Sequence, residues 1–182
     1  MANLPYHVGT PIIANLLASD LPVERMVVTI QLELAQRLCA RPRTSDYSAL
    51  SVFIQSQCTV KIIHKLGPSV FWPRPDVDSA ILRIDPDPAA RDRIHDRAAF
   101  QIFLRDLFTQ RRKLLRGVVV QIYKGRLTKT VIDTVLNELN FTPEARAEEL
   151  EVEQLVQLSN RLQQSLRGET LEINKQDHNE NG

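Results

Sequence analysis

From Pro11 to Ala18 the chain is almost wholly apolar, with Thr10 placed to cap and Pro11 at the first helical position, so a short helix is predicted there. Met26 to Leu32 (Met-Val-Val-Thr-Ile-Gln-Leu) is crowded with β-branched residues and reads as a buried strand. Glu33 to Cys39 is predicted to be helical, closed by Arg41-Pro42. After a loop through Asp46-Tyr47 a second helix runs from Ala49 to Gln57. Val60 to Leu66 is strand-like until Gly67-Pro68 breaks it, and Val77 to Ile84 is a further strand ended by Pro86 and Pro88. Strand–helix–helix–strand–loop–strand is the shape of the closing half of an α/β sheet with its last two strands antiparallel.

The pattern changes from about Asp87. Arg97 to Leu115 is predicted as one helix with Phe100, Phe103, Leu104, Leu107, Phe108, Leu114 and Leu115 on its apolar face. Thr128 to Leu139 is a second helix, punctuated by Asn140, and Thr142-Pro143 starts a capped turn. Glu151 to Leu166 carries Val152, Leu155, Leu158, Leu162 and Leu166 at helical spacing. Beyond Gly168 the segment Glu169 to Gly182 is polar, acidic and amide-rich, and a disordered tail is expected.

Composition excludes several classes. Hydrophobic residues make up 43% and charged residues 25% of 182, as in ordinary globular proteins. No stretch approaches a membrane span and no charged-then-apolar leader is present, so a cytoplasmic protein without a membrane partner is expected. Cys39 and Cys58 have no motif spacing, which fits a reducing compartment. His7, His64, His95 and His178 are scattered, with no accompanying cluster of ligands, so no metal site is expected. With a net charge of +1, any nucleic-acid surface must come from local clustering.

The tetrapeptide Asn3-Leu4-Pro5-Tyr6 looks like the catalytic signature of adenine-N6 methyltransferases. Taken alone it is also an ordinary Asn/Pro turn. The chemistry explains the residue types. The exocyclic nitrogen of adenine is a poor nucleophile because its lone pair is delocalised into the ring. An Asn side-chain oxygen and a backbone carbonyl, here that of Pro5, can each accept one of its N–H groups and favour a tetrahedral nitrogen. Tyr6 would stack on a base taken out of its helix, a contact of roughly 1–3 kcal/mol.

Further motifs follow in order. Gln31-Leu32-Glu33-Leu34-Ala35-Gln36-Arg37-Leu38, Tyr47-Ser48-Ala49-Leu50-Ser51-Val52 and Phe71-Trp72-Pro73-Arg74-Pro75-Asp76-Val77-Asp78-Ser79-Ala80 resemble segments of the ribosomal RNA adenine N6,N6-dimethyltransferases. So do Phe108-Thr109-Gln110-Arg111-Arg112-Lys113 and Arg146-Ala147-Glu148-Glu149-Leu150, which resemble marks of that family's helical C-terminal domain. The resemblance runs from Asn3 to about Leu166 and is closest to the small-subunit (16S) dimethyladenosine transferase branch.

The resemblance implies an α/β fold, namely the C-terminal half of a Rossmann-like, S-adenosylmethionine-dependent methyltransferase sheet followed by a small all-helical domain. Its expected parts are residues 1–86 (catalytic domain), 87–168 (helical rRNA-recognition domain) and 169–182 (tail). It makes Asn3, Pro5, Tyr6 and Phe71 catalytic, with Asn3 also bordering the methyl donor. For Phe71 the alternative is a core aromatic beside Trp72. Asp78 and Ser79 are expected to organise their turn through side-chain bonds to backbone. Arg111, Arg112, Lys113 and Arg116 form a basic run near a helix end, either a solvated face or a contact for rRNA phosphates. Pairing with Glu148 or Glu149 is the alternative for Arg112 or Arg116. The implied partner is small-subunit rRNA in a 30S precursor, with a monomeric complete protein.

Departures from the family pattern are His7, Gly9 and Ser48, where Asn, Ser or Thr, and Gly are usual. Ser48 would alter a turn that Gly allows at φ > 0. None of the six glycines forms a Gly-x-Gly-x-Gly turn, the element that binds S-adenosylmethionine in the family. The expectation is therefore a chain that holds the substrate side of the active site, lacks the donor side and does not methylate alone. Its missing central strands would leave a raw apolar sheet edge. Two rivals are a non-catalytic rRNA-binding or ribosome-assembly module and a large-subunit rRNA adenine methyltransferase of the resistance type.

Overall fold

The computed structural model describes residues 1–5, 9–19 and 21–179. It separates into two compact units, Met1–Arg93 and Ile94–Gly182.

The first unit is built on four strands, β1 (Ala2–Asn3), β2 (Met26–Gln31), β3 (Cys58–Leu66) and β4 (Ser79–Pro86), in the order β1-β2-β4-β3. β1 runs parallel to β2, and β4 lies antiparallel between β2 and β3, as expected for the last two strands. The register places Val28 and Ile62 on either side of Leu82, and Ile84 beside Met26 and Val60. Ile30, Leu82 and Ile84 are at most 1% exposed, which is why a β-branched run was needed here. A register shift between Ile62 and His64 interrupts β3.

Helix α1 (Gly9–Ala18) buries Ile13 and Leu17. Helices α2 (Leu32–Leu38) and α3 (Ala49–Gln55) pack on the sheet through Ala35, Leu38, Val52 and Ile54. The Tyr-Ser-Ala-Leu-Ser motif explains itself locally. Ser48 caps α3 in a reciprocal box with Ser51, and the Ser51 hydroxyl donates to the Arg37 carbonyl at 2.6 Å, tying α3 to α2. Ser48 has φ −148°. This is extended backbone that needs no glycine, so the expected disturbance at Ser48 is absent.

The division falls after Arg93, not at Pro86, because the short helix α4 (Pro88–Asp92) stays with the sheet. The Asp87 N–H donates to the Gln57 carbonyl at 2.9 Å, and Arg91 donates to the Ser19 carbonyl at 3.3 Å.

The second unit contains α5 (Arg97–Phe108), α6 (Leu115–Ile122), α7 (Lys129–Glu138) and α8 (Val152–Asn179). Asp96 and Thr128 cap α5 and α7 through the N–H groups of Ala99 and Val131. The core gathers Phe100, Phe103, Leu104, Leu107, Leu115, Val119, Ile132, Leu155, Leu158 and Leu162. Two expectations are corrected here. The single helix over Arg97–Leu115 is broken, with Thr109 at the end of α5 and α6 starting at Leu115. The Leu115 N–H turns instead to the Ala145 carbonyl at 2.8 Å. The last helix also runs past Leu166 to Asn179, through the segment expected to be a tail. One interior Gly costs only about 1 kcal/mol, and the Glu, Leu, Lys and Gln that follow are good helix formers.

Candidate active site

Asn3 ends β1, and the Leu4 N–H donates to the Thr29 carbonyl at 3.1 Å, so the loop that follows is pinned to β2. Opposite it, the Phe71–Val77 loop leaves β3 through a short 3-10 turn, Pro68–Val70, in which the Phe71 N–H donates to the Pro68 carbonyl. Its far end is fastened by main chain: the Asp78 carbonyl accepts the Leu32 N–H at 2.9 Å. Pro73 and Pro75 fix φ within the loop, and the Trp72-Pro73 bond is cis.

These two loops enclose one open cavity of about 310 Å³, lined by Asn3, Leu4, Pro5, Phe71, Trp72, Pro73 and Pro75. Three of the four expected catalytic residues thus meet. Tyr6, the fourth, and His7 lie outside the described residues. Among the described residues no hydrogen bond engages the Asn3 carboxamide, which stays exposed at the cavity. Phe71 is half-buried in the wall, whereas Trp72 is 96% exposed. The pair is therefore not a core aromatic cluster. The sequence reading also missed Leu4 as part of the wall. A Cβ on Gly9 would meet Ile30 Cγ2 at 3.5 Å and Leu34 Cδ2 at 3.7 Å, ordinary contacts that would admit the family's Ser or Thr.

Chemically, the described residues of the lining offer an amide, a proline carbonyl and aromatic surface, with no carboxylate among them. It suits a flat, nitrogen-bearing ring. Among the described residues no cluster of three metal-binding side chains exists, and no helix is long and apolar enough to cross a membrane.

Arg111, Arg112 and Lys113 lie in the turn that follows the end of α5, and Arg116 lies in the first turn of α6. Arg111 forms an ion pair with Glu148 at 3.4 Å, and its carbonyl accepts the Glu148 N–H at 3.3 Å. Arg116 forms a two-pronged pair with Asp133. The partners anticipated for Arg112 or Arg116, Glu148 and Glu149, are thus replaced. Arg112 and Lys113 are exposed and line a second cavity of about 520 Å³ with Gln110, Leu114, Gln121 and Arg146. Arg146 was missed as a member of this cluster. The antiparallel bridge between Leu114 and Arg146 brings it there.

The chain shares its fold with two solved structures. A dimethyladenosine transferase from Plasmodium falciparum superimposes with a TM-score of 0.77 at 24% identity, covering 86% of this chain and 63% of that one. The 23S rRNA methyltransferase ErmE gives 0.56 at 22%, over 90% and 65%. The model of the ribosomal RNA adenine dimethylase family matches residues 1–164, and the chain belongs to that family. Ribosomal RNA small subunit methyltransferase A of Halothermothrix orenii is 39% identical over 162 residues, 89% of this chain and 54% of the relative. The protein of the same name from Geobacillus sp. (strain WCH70) is 41% identical over 167 residues, 91% and 57%. The chain spans about half the length of the curated relatives it matches.

Proposed function

We propose that this chain is the substrate-holding portion of a small-subunit (16S) rRNA adenine N6,N6-dimethyltransferase, its sheet the C-terminal half of a Rossmann-like methyltransferase sheet and its helices an rRNA-recognition domain. The observation that carries this is the convergence of Asn3, Pro5 and Phe71, distant in sequence, on one cavity. The Asn3 side-chain oxygen and the Pro5 carbonyl accept the two N–H groups of the target amine, and Phe71 lies against the base. Both hydrogen bonds strengthen as the nitrogen becomes tetrahedral, so they favour the transition state over the ground state. Among the described lining residues there is no general base, and water takes the proton.

S-adenosylmethionine is the methyl donor that the resemblance implies; Asn3 borders it, and the other cavity residues do not complete its site. These 182 residues alone therefore hold the base without methylating it. The small-subunit names of the relatives favour 16S over 23S rRNA, with a 30S precursor as the partner and a cytoplasmic monomer as the complete protein. A pure assembly module would have no use for the amine-holding pair.

The test is transfer of labelled methyl to immature 30S particles by the protein isolated from its own organism, with modified adenines mapped by primer extension. Modification of 23S rRNA alone would reject the reading. Methyl transfer by the isolated 182-residue chain would reject the claim that it lacks a donor site.

A further inference from the structure

Trp72 has no packing to explain it. It is the chain's only tryptophan and is 96% exposed, although a side chain of this kind commonly buries about 150–250 Å². It nevertheless sits on the cavity that contains Asn3, Pro5 and Phe71. The backbone at Phe71 is extended, with φ −115° and ψ 149°, so consecutive side chains point to opposite sides. Phe71 enters the wall and Trp72 stands at the mouth. Pro73 and Pro75 stiffen the loop beyond it, and Arg74 between them is exposed. Val70, 62% exposed, and Val77, 41% exposed, flank the loop in sequence.

An exposed aromatic ring with an exposed guanidinium two residues along the same loop is the pair that single-stranded nucleic acids use: bases stack on the ring and phosphate meets the cation. A base drawn into the cavity also leaves its neighbour in the strand without a stacking partner. We propose that Trp72 stacks on the nucleotide next to the one held in the Asn3–Phe71 cavity, with Arg74 on the intervening phosphate. Trp72 is then a positioning residue for single-stranded RNA. This rests on reading the cavity as the adenine pocket.

The lone indole supplies its own signal. The 182-residue chain is titrated with a five-nucleotide RNA bearing a central adenine, and with versions abasic at the centre or at a neighbouring position. Saturable quenching is expected with the intact strand, lost when the neighbour is abasic, with affinity falling about 5- to 150-fold, the range for one stacked base. Trp72→Phe should keep most of the affinity. Trp72→Ala, followed by anisotropy of a dye-labelled strand, should bind the intact and neighbour-abasic strands alike. Being exposed, the position tolerates both changes without unfolding. Binding that Asn3→Ala weakens but that neither quenches Trp72 nor responds to Trp72→Ala would overturn the stacking and leave the adenine pocket standing. Quenching that ignores Asn3→Ala and the central abasic site would keep the stacking and overturn the pocket. No binding of any strand at millimolar concentration would overturn both.

Discussion

The guanidinium of Arg116 lies edge-on against the carboxylate of Asp133, with Nε 2.6 Å from Oδ1 and Nη2 2.8 Å from Oδ2. The pair joins the first turn of α6 to α7 and occupies the fork that the guanidinium would otherwise offer to phosphate. Arg116 is thus set apart from its neighbours Arg112 and Lys113.

The hydrogen bond from Arg116, reinforced by its charge, holds the Asp133 carboxyl below the usual aspartate range, and the same bond raises Arg116. A lowered carboxyl pKa contributes stability at pH above the unfolded value, and this is lost as pH falls through the folded value. Arg116→Ala is expected to lower the thermal midpoint at neutral pH. The gap from wild type should close on acidification below the ordinary aspartate pKa of about 3.9. Melts followed by circular dichroism check this, and a gap constant with pH would contradict it.

On the proposed RNA reading, Arg112→Ala with Lys113→Ala makes the dependence of log affinity on log salt shallower by about 1.4, at roughly 0.7 per phosphate of a single strand. Arg116→Ala leaves that slope unchanged, because its fork is engaged by Asp133. Equilibrium binding of a single-stranded rRNA fragment at several salt concentrations separates the two outcomes.

Ser51 is fully buried, and its hydroxyl bonds to the Arg37 carbonyl while completing the cap with Ser48. Ser51→Ala should destabilise the chain by about 1–3 kcal/mol, since it removes the bond to the Arg37 carbonyl, which keeps the Ala40 N–H, together with the return half of the cap. Ser48→Ala should cost about 1 kcal/mol as a lost cap. Urea denaturation measures both, and equal losses would argue against the α2–α3 tie.

Arg43 adopts φ 68° with an exposed side chain. Left-handed backbone costs a residue with a Cβ about 1–2 kcal/mol, and glycine gives part of that back to the more flexible unfolded chain. Arg43→Gly is expected to raise stability by up to about 1 kcal/mol, visible as a higher urea midpoint with an unchanged slope.

Burial pushes the Cys58 thiol up to about 12 and raises Cys39 as well. At neutral pH both are almost entirely thiols, and the thiolate is the reacting form. Alkylation of the folded chain is therefore expected to be slow for both and to become fast only on unfolding. Mass spectrometry after timed iodoacetamide exposure reads this directly.

The sheet was legible because burial on the α-helical side demanded β-branched runs such as Met26–Gln31, and because prolines stop β4. The cavity was legible as two motifs whose meeting no local pattern states, since β4 must insert between β2 and β3 before Asn3 and Phe71 share a wall. The break after α5 was hidden. The apolar positions from Phe100 to Phe108 continue at helical spacing to Leu114 and Leu115, while the Leu115 N–H bonds to the distant Ala145 carbonyl, a tertiary contact that no local pattern states. Helix α6 was lost with it, because Gly117 and three valines favour no helix on propensity alone. Trp72 went unread for the opposite reason: a tryptophan is ordinarily assigned to a core.

The bridge between Leu114 and Arg146, with the bonds from Leu115 to Ala145 and from Glu148 to Arg111, makes the two distant helical motifs one clasp. The backbone of the Gln-Arg-Arg-Lys corner is set when the helices assemble, before any ligand arrives. A partner that meets it has only side-chain freedom left to restrict, so association there should proceed with little loss of chain entropy.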